Sequence, residues 1–195
     1  MKHVPNVLSI ARIAVTPLLL YLLLQNTLTT SVWALVLFVL GAISDYYDGQ
    51  LARKYGVGTS FGKYLDPLAD KVLVLGTFIA LIFIIPEQVP IWAIALIALR
   101  DISVTGLRSW ARRTGADLRT SNTAKFKTTV QLTWLIMMLT FIAAAQIPGQ
   151  FGEVFIGFLA ASFMYWLLVL VTMITVGTGL HYFSEYNKRE DGSGA

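Results

Sequence analysis

Four aspartates mark the part of this sequence best suited to chemistry. Asp45 and Asp48 are three residues apart, and Asp66 and Asp70 are four apart. On a helix either spacing puts both carboxylates on one face. Gly56, Gly58 and Gly62 break the chain between the pairs. The two helices are therefore expected to turn back on each other and bring the acidic faces together at one depth. Four carboxylates so placed repel one another, and each costs about 2.5–3.5 kcal/mol at the middle of a membrane span, less near its surface. Something cationic must compensate. Hard oxygen ligands with no His or Cys beside them suit Mg²⁺, Mn²⁺ or Ca²⁺, and four of them suit two divalent ions with shared ligands. The plainer alternative is a set of ion pairs with Arg53, Lys63 and Lys71. Gly49 and Ala52, on the same helical end, let a large ligand approach the backbone, or let two helices pack closely.

The elements that must hold these residues are apolar. The chain has 195 residues, of which 56% are hydrophobic and only 13% charged, with a mean hydropathy of +0.67. A soluble domain carries roughly twice that charge, so the composition points to a membrane protein and excludes disorder. There is no cysteine, which excludes disulfides, thiolate metal sites and a catalytic thiol. Six stretches approach the ~20 residues a membrane helix needs. They lie near 7–25, 32–52, 64–85, 90–111, 126–146 and 153–177. The expected fold is all-α and polytopic: six transmembrane helices in a single domain over 1–190, with a flexible tail at 191–195. No cleavage site follows the first span, so it reads as a span and not a signal peptide.

Charge placement orients the spans. Lys2 precedes the first. Arg53, Lys54, Lys63 and Lys71 surround the second connection, and Arg108, Arg112, Arg113, Arg119, Lys125 and Lys127 surround the fourth. Lys188 and Arg189 follow the sixth. The other three connections contain no Lys or Arg and have only Glu87 and Glu153 in or near them. Basic residues stay on the cytoplasmic side. Both termini, both basic loops and the aspartates are therefore expected to face the cytoplasm.

The combined spacing is D-x2-D-G-x2-A-R-x8-G-x3-D-x3-D, filled by Asp45, Asp48, Gly49, Ala52, Arg53, Gly62, Asp66 and Asp70. This resembles the signature of the CDP-alcohol phosphotransferases. Pro5-Asn6, Ser9 and Arg12 are similar to that family's N-terminal segment, and six spans with cytoplasmic termini fit its architecture. Within the family the chain is most similar to bacterial phosphatidylglycerophosphate synthases, on the strength of Arg100-Asp101-Ile102, Leu107-Arg108 and Ala124-Lys125-Phe126-Lys127-Thr128. Ala124 stands where those enzymes usually have Gly, and Asp101 where they have Glu.

The resemblance implies an enzyme of phospholipid biosynthesis in the bacterial cytoplasmic membrane. It would transfer the phosphatidyl group of CDP-diacylglycerol to glycerol 3-phosphate, giving phosphatidylglycerophosphate and CMP. It implies two divalent cations, Mg²⁺ or Mn²⁺, bridged by Asp45 and Asp66, with Asp48 on one ion and Asp70 on the other. Asp70 would also take the acceptor's hydroxyl proton. Gly49, Ala52, Arg53 and Thr59 would line the CDP-diacylglycerol site, with Asn6 a weaker candidate. The expected partners are the two substrates, the bilayer and a second copy of the chain in a homodimer, with no nucleic acid. The acceptor is a small dianion, and Arg108, Lys125 and Lys127 flank one connection where they can bind its phosphate by charge-assisted hydrogen bonds. Arg100 either joins them or bridges the adjacent Asp101. Arg112, Arg113 and Arg119 suit anionic lipid headgroups.

Rival readings differ in observable ways. A sister enzyme would take inositol phosphate, serine or phosphatidylglycerol as acceptor. An intramembrane prenyltransferase would carry its acidic motifs far apart in a longer chain. A divalent-cation transporter would place its acids near mid-membrane with a polar route to both faces, whereas here they lie at one end of two spans.

Overall fold

Long apolar runs with few helix breakers fold into helices whether lipid or protein surrounds them, because each backbone N–H must find its carbonyl within the segment. The computed structural model describes residues 4–55, 62–113 and 122–190, and among them it is helical with no strand. Seven helices follow in order: α1 (Val4–Leu24), α2 (Leu28–Tyr55), α3 (Gly62–Ile84), α4 (Ile91–Arg113), α5 (Asn122–Ala145), α6 (Gln150–Ala160) and α7 (Ser162–Glu190). The first five match the five expected spans to within a few residues, apart from longer ends.

The sixth expected span is not one helix. It breaks at Ala161, whose backbone is extended (φ −69°, ψ 133°). Neither proline nor glycine stands at the break, so nothing in the local sequence announces it. Tertiary packing supplies the reason. Phe151, Phe155 and Phe158 of α6 form an aromatic cluster with Phe141 of α5, with ring centroids 5.3 Å apart for Phe141–Phe155 and 5.8 Å for Phe141–Phe158. α7 departs to pack along α4 and α5. One straight helix cannot do both. The reversal from α5 into α6 is tight: Gly149 has φ +94°, and a Cβ on Gly152 would lie 2.0 Å from the Ile147 carbonyl oxygen. Only glycine fits there.

The core lies between α1, α2, α3, α4, α5 and α7. Leu19, Phe38, Phe78, Leu81, Ile97, Leu135, Met138, Ile142 and Leu168 are fully buried or nearly so, and Phe78 stacks on Trp134 at 5.6 Å. Polar groups within it are satisfied by the helices themselves. The hydroxyls of Thr16, Thr77, Thr172 and Thr175 each donate to the carbonyl four residues back. That is a common arrangement where water is scarce.

The outer surface is the reverse of a soluble protein's. Phe83, Ile91, Leu99, Trp166, Met173 and Leu180 are each more than 60% exposed. Among the described residues, Phe126–Ala145 and Ser162–Ser184 are long and apolar enough to cross a membrane. Ser9–Leu24, Leu28–Ser44 and Lys71–Ile84 are shorter apolar stretches. α4 carries Arg100 and Asp101 inside its length.

Contacts between helices fix which ends lie together. Arg12 of α1 and Leu73 of α3 lie beside Gly41 of α2. Asp101 of α4 meets Lys127 of α5, and Arg100 meets Thr178 of α7. At the other end Gln146, after α5, donates to Asn26 in the α1–α2 turn at 2.8 Å. The start of α1, the end of α2, the start of α3, the end of α4, the start of α5 and the end of α7 therefore share one end of the bundle, the end that holds every sequence-predicted site residue.

Candidate active site

The motif falls on the backbone as its spacing requires. Asp45, Asp48, Gly49, Ala52 and Arg53 lie in the last turns of α2, and Asp66 and Asp70 lie in the first turns of α3. The two helices pack against each other and both against α1. The side chains of Asp45, Asp48, Ala52, Arg53, Asp66, Asp70, Arg108 and Lys125 lie outside the described residues, and Thr59 lies outside them altogether. The donor chemistry fits hard divalent ions: four carboxylates at one helix junction, with no His or Cys in the segment. Among the described residues no other group of three His, Cys, Asp or Glu gathers to hold a metal.

One residue beside the motif was given no role by the sequence reading. Arg12 of α1 is 4% exposed, and its Cγ lies 3.9 Å from where a Cβ on Gly41 would stand. Gly41 is one helical turn before Asp45. Side chains on a helix lean toward its N-terminus, which on α1 is the end shared with the aspartates. The sequence signal was an arginine inside an otherwise apolar span, a placement that marks function more often than packing.

The second cluster is seen in detail. The Lys127 ammonium donates to both carboxylate oxygens of Asp101, at 2.6 and 2.7 Å. Arg100 Nη1 donates to the same Oδ1 at 3.2 Å, and its Nη2 donates to Thr178 Oγ1 at 3.1 Å. The three charged side chains are buried, with exposures of 10% for Arg100, 5% for Asp101 and 7% for Lys127. Gly179 makes room for the arginine, since a Cβ there would meet Arg100 Cγ at 2.7 Å. One turn further in, Gln131 donates to Thr175 at 3.1 Å and ties α5 to α7 again. Lys71 of α3, next to Asp70, lies within electrostatic range of Lys127.

This placement changes the basic cluster. Lys127 was expected to face the acceptor phosphate beside Arg108 and Lys125; its ammonium sits instead on Asp101. Helix geometry explains the separation. Lys125 and Lys127 are both in α5, and two residues turn a helix by about 200°, so the two lysines start from nearly opposite faces. Arg100 bridges Asp101, one of the two alternatives left open for it.

The chain also matches known proteins along its length. The model of the CDP-alcohol phosphatidyltransferase family covers residues 2–177. This chain belongs to the CDP-alcohol phosphatidyltransferase family. It is 36% identical over 185 residues to the CDP-diacylglycerol–glycerol-3-phosphate 3-phosphatidyltransferase of Rickettsia typhi, an alignment covering 94% of this chain and 96% of that protein. To the Bacillus subtilis protein of the same name it is 29% identical over 197 residues, with 95% of each covered. A cardiolipin synthase (CMP-forming) of Streptomyces coelicolor is 29% identical over 180 residues, with 89% of this chain and 82% of that protein covered. As a CDP-alcohol phosphatidyltransferase, the chain carries its family motif at the α2–α3 junction and its buried ion cluster at the same end of the bundle.

Proposed function

We propose that this protein transfers the phosphatidyl group of CDP-diacylglycerol to glycerol 3-phosphate, forming phosphatidylglycerophosphate and releasing CMP. One observation carries the reading: the complete eight-residue motif sits in a chain that matches enzymes of that name from end to end. In the reaction a hydroxyl oxygen of the acceptor bonds to the phosphatidyl phosphorus. The bond from that phosphorus to the CMP oxygen breaks, CMP leaves with the bonding pair, and the hydroxyl proton passes to Asp70.

Asp45, Asp48, Asp66 and Asp70 would hold two divalent cations, Mg²⁺ or Mn²⁺. When bound, such ions neutralise the donor's diphosphate and stabilise the leaving phosphate. The chain's own residues do the rest. Gly49, Ala52, Arg53 and Thr59 take the CDP moiety, and the absence of bulk at Gly49 and Ala52 lets it lie close to α2. Arg108 and Lys125, at the end of α4 and the start of α5, bind the acceptor phosphate.

The bundle is read as six spans in the bacterial cytoplasmic membrane, with both termini and the site end cytoplasmic. The exposed apolar residues and the one-sided placement of Lys and Arg support this. A donor with two acyl chains then keeps its tails in lipid while its head meets a water-soluble acceptor. The functional unit is a homodimer, and native mass spectrometry in mild detergent tests it: monomers alone would count against it.

The deciding experiment is an acceptor panel with purified protein, following CMP release with and without added Mg²⁺ or Mn²⁺. Metal-dependent release with glycerol 3-phosphate, and little with glycerol, is expected. Preference for inositol phosphate, serine or phosphatidylglycerol would move the chain to a sister activity. Cation transport into vesicles without CMP release would sink the enzyme reading.

A further inference from the structure

The buried cluster of α4, α5 and α7 holds more positive charge than the protein balances. Asp101 is its one carboxylate, and both Lys127 and Arg100 sit on it. Lys71, on α3 beside Asp70, adds a third cation within electrostatic range. A cross-tie between α4 and α5 needs only one cation for one carboxylate. The second leaves net charge in a place with little water, which is costly unless an anion from outside the protein neutralises it. Donor capacity is left over as well: Arg100 Nε is buried and has no hydrogen-bond partner. Arg100 is also held deliberately, between Thr178 and the space left by Gly179. Loose phosphate ligands do not need such packing, whereas a positioned electrostatic wall does.

We propose that Asp101 is a positioning residue of the acceptor site. It withdraws Lys127 from direct phosphate binding. By holding Lys127 and Arg100 together, it fixes a patch of uncompensated positive charge beside α3, against which an anionic acceptor is held. The proposal rests on the reading that the acceptor is a phosphate ester, and it assigns Asp101 and Lys127 a role different from that of Arg108 and Lys125.

The test compares Asp101→Asn, Asp101→Glu and the apolar pair Asp101→Leu/Lys127→Met, reading KM for glycerol 3-phosphate, KM for CDP-diacylglycerol and Tm. Asp101→Asn should raise the acceptor KM at least tenfold and move the donor KM less than threefold. Asp101→Glu, which keeps the charge, should recover the acceptor KM to within threefold of wild type. The apolar pair should recover Tm, as buried ion pairs replaced together often do, but not the acceptor KM. It keeps the test decisive where Asp101→Asn is too unstable to purify. An acceptor KM that is unchanged or lower in Asp101→Asn would show Lys127 to be a direct ligand and overturn the proposal. Recovery of both Tm and acceptor KM in the apolar pair would reduce the cluster to a structural tie and overturn it too. Failure of the underlying reading looks different: the wild type itself would release CMP without using glycerol 3-phosphate.

Discussion

The α2–α3 junction and the α4–α5–α7 cluster gather charge at the same end of the bundle and treat it in opposite ways. The junction collects four like charges over twenty-six residues of sequence. Like charges cannot satisfy one another, so the stability of that arrangement depends on cations. The cluster mixes signs: Asp101 accepts from Lys127 and Arg100 and absorbs much of their charge within the protein. The first region is therefore built around something it must bind. The second is largely self-contained, with a positive remainder. An enzyme joining a diphosphate donor to a phosphate acceptor needs both kinds of site. A strong cation-binding site neutralises the donor, and a tempered positive surface holds the acceptor without trapping it.

Breaking the first region should have the largest effect. Asp45→Asn or Asp66→Asn removes a charge proposed to be shared by two ions, and turnover should fall by at least about a hundredfold, measured as CMP release at ordinary Mg²⁺ or Mn²⁺. Glu87→Gln, far from the motif, should leave the rate within twofold. Near-wild-type rates in either aspartate variant would refute the two-metal reading. Circular dichroism and Tm should show that the variants still fold, because the substitution relieves repulsion in the ion-free protein.

The next effect belongs to the cations not absorbed by Asp101. Arg108→Ala and Lys125→Ala should each raise KM for glycerol 3-phosphate about ten- to a hundredfold, the worth of a lost charge-assisted hydrogen bond, with the donor KM nearly unchanged. If both substrates weaken equally, these residues anchor the loop to lipid instead. A zwitterionic detergent should then erase the difference.

Legibility differed between the two regions for a physical reason. The junction is local: helix periodicity fixes which residues share a face, and glycines between the helices force the return, so a spacing pattern is enough. The cluster is assembled across the chain. Lys127 reaches Asp101 over 26 positions and Arg100 reaches Thr178 over 78, and no local pattern encodes those pairings. Lys125 and Lys127 look equivalent in sequence, yet only knowledge that α5 begins before both shows that they leave the helix on different faces. The break at Ala161 escaped for a related reason. Hydropathy runs unbroken through it, and the packing of α6 on Phe141 decides where the chain bends.

The smallest effect uses two glycines of α7 to compare the inner and outer faces of one helix. Gly177 is exposed and a Cβ there would meet nothing within 4 Å, whereas a Cβ on Gly179 would stand 2.7 Å from Arg100 Cγ. Alanine in place of helical glycine gains up to about 1 kcal/mol from the backbone, so Gly177→Ala should raise Tm slightly and leave kinetics alone. At Gly179 the same gain is opposed by the displacement of a locked side chain, for which overpacking costs of about 1–3 kcal/mol are typical. Arg100 can yield only by giving up Thr178 or Asp101. Gly179→Ala should therefore lower Tm by a few degrees and raise the acceptor KM a few-fold, leaving the donor KM unmoved. If Gly179→Ala stabilises as Gly177→Ala does, Arg100 has slack, and its position is not what holds the acceptor. If Gly177→Ala destabilises instead, something outside this chain covers the outer face of α7, and a second copy of the protein is the first candidate to test there by crosslinking.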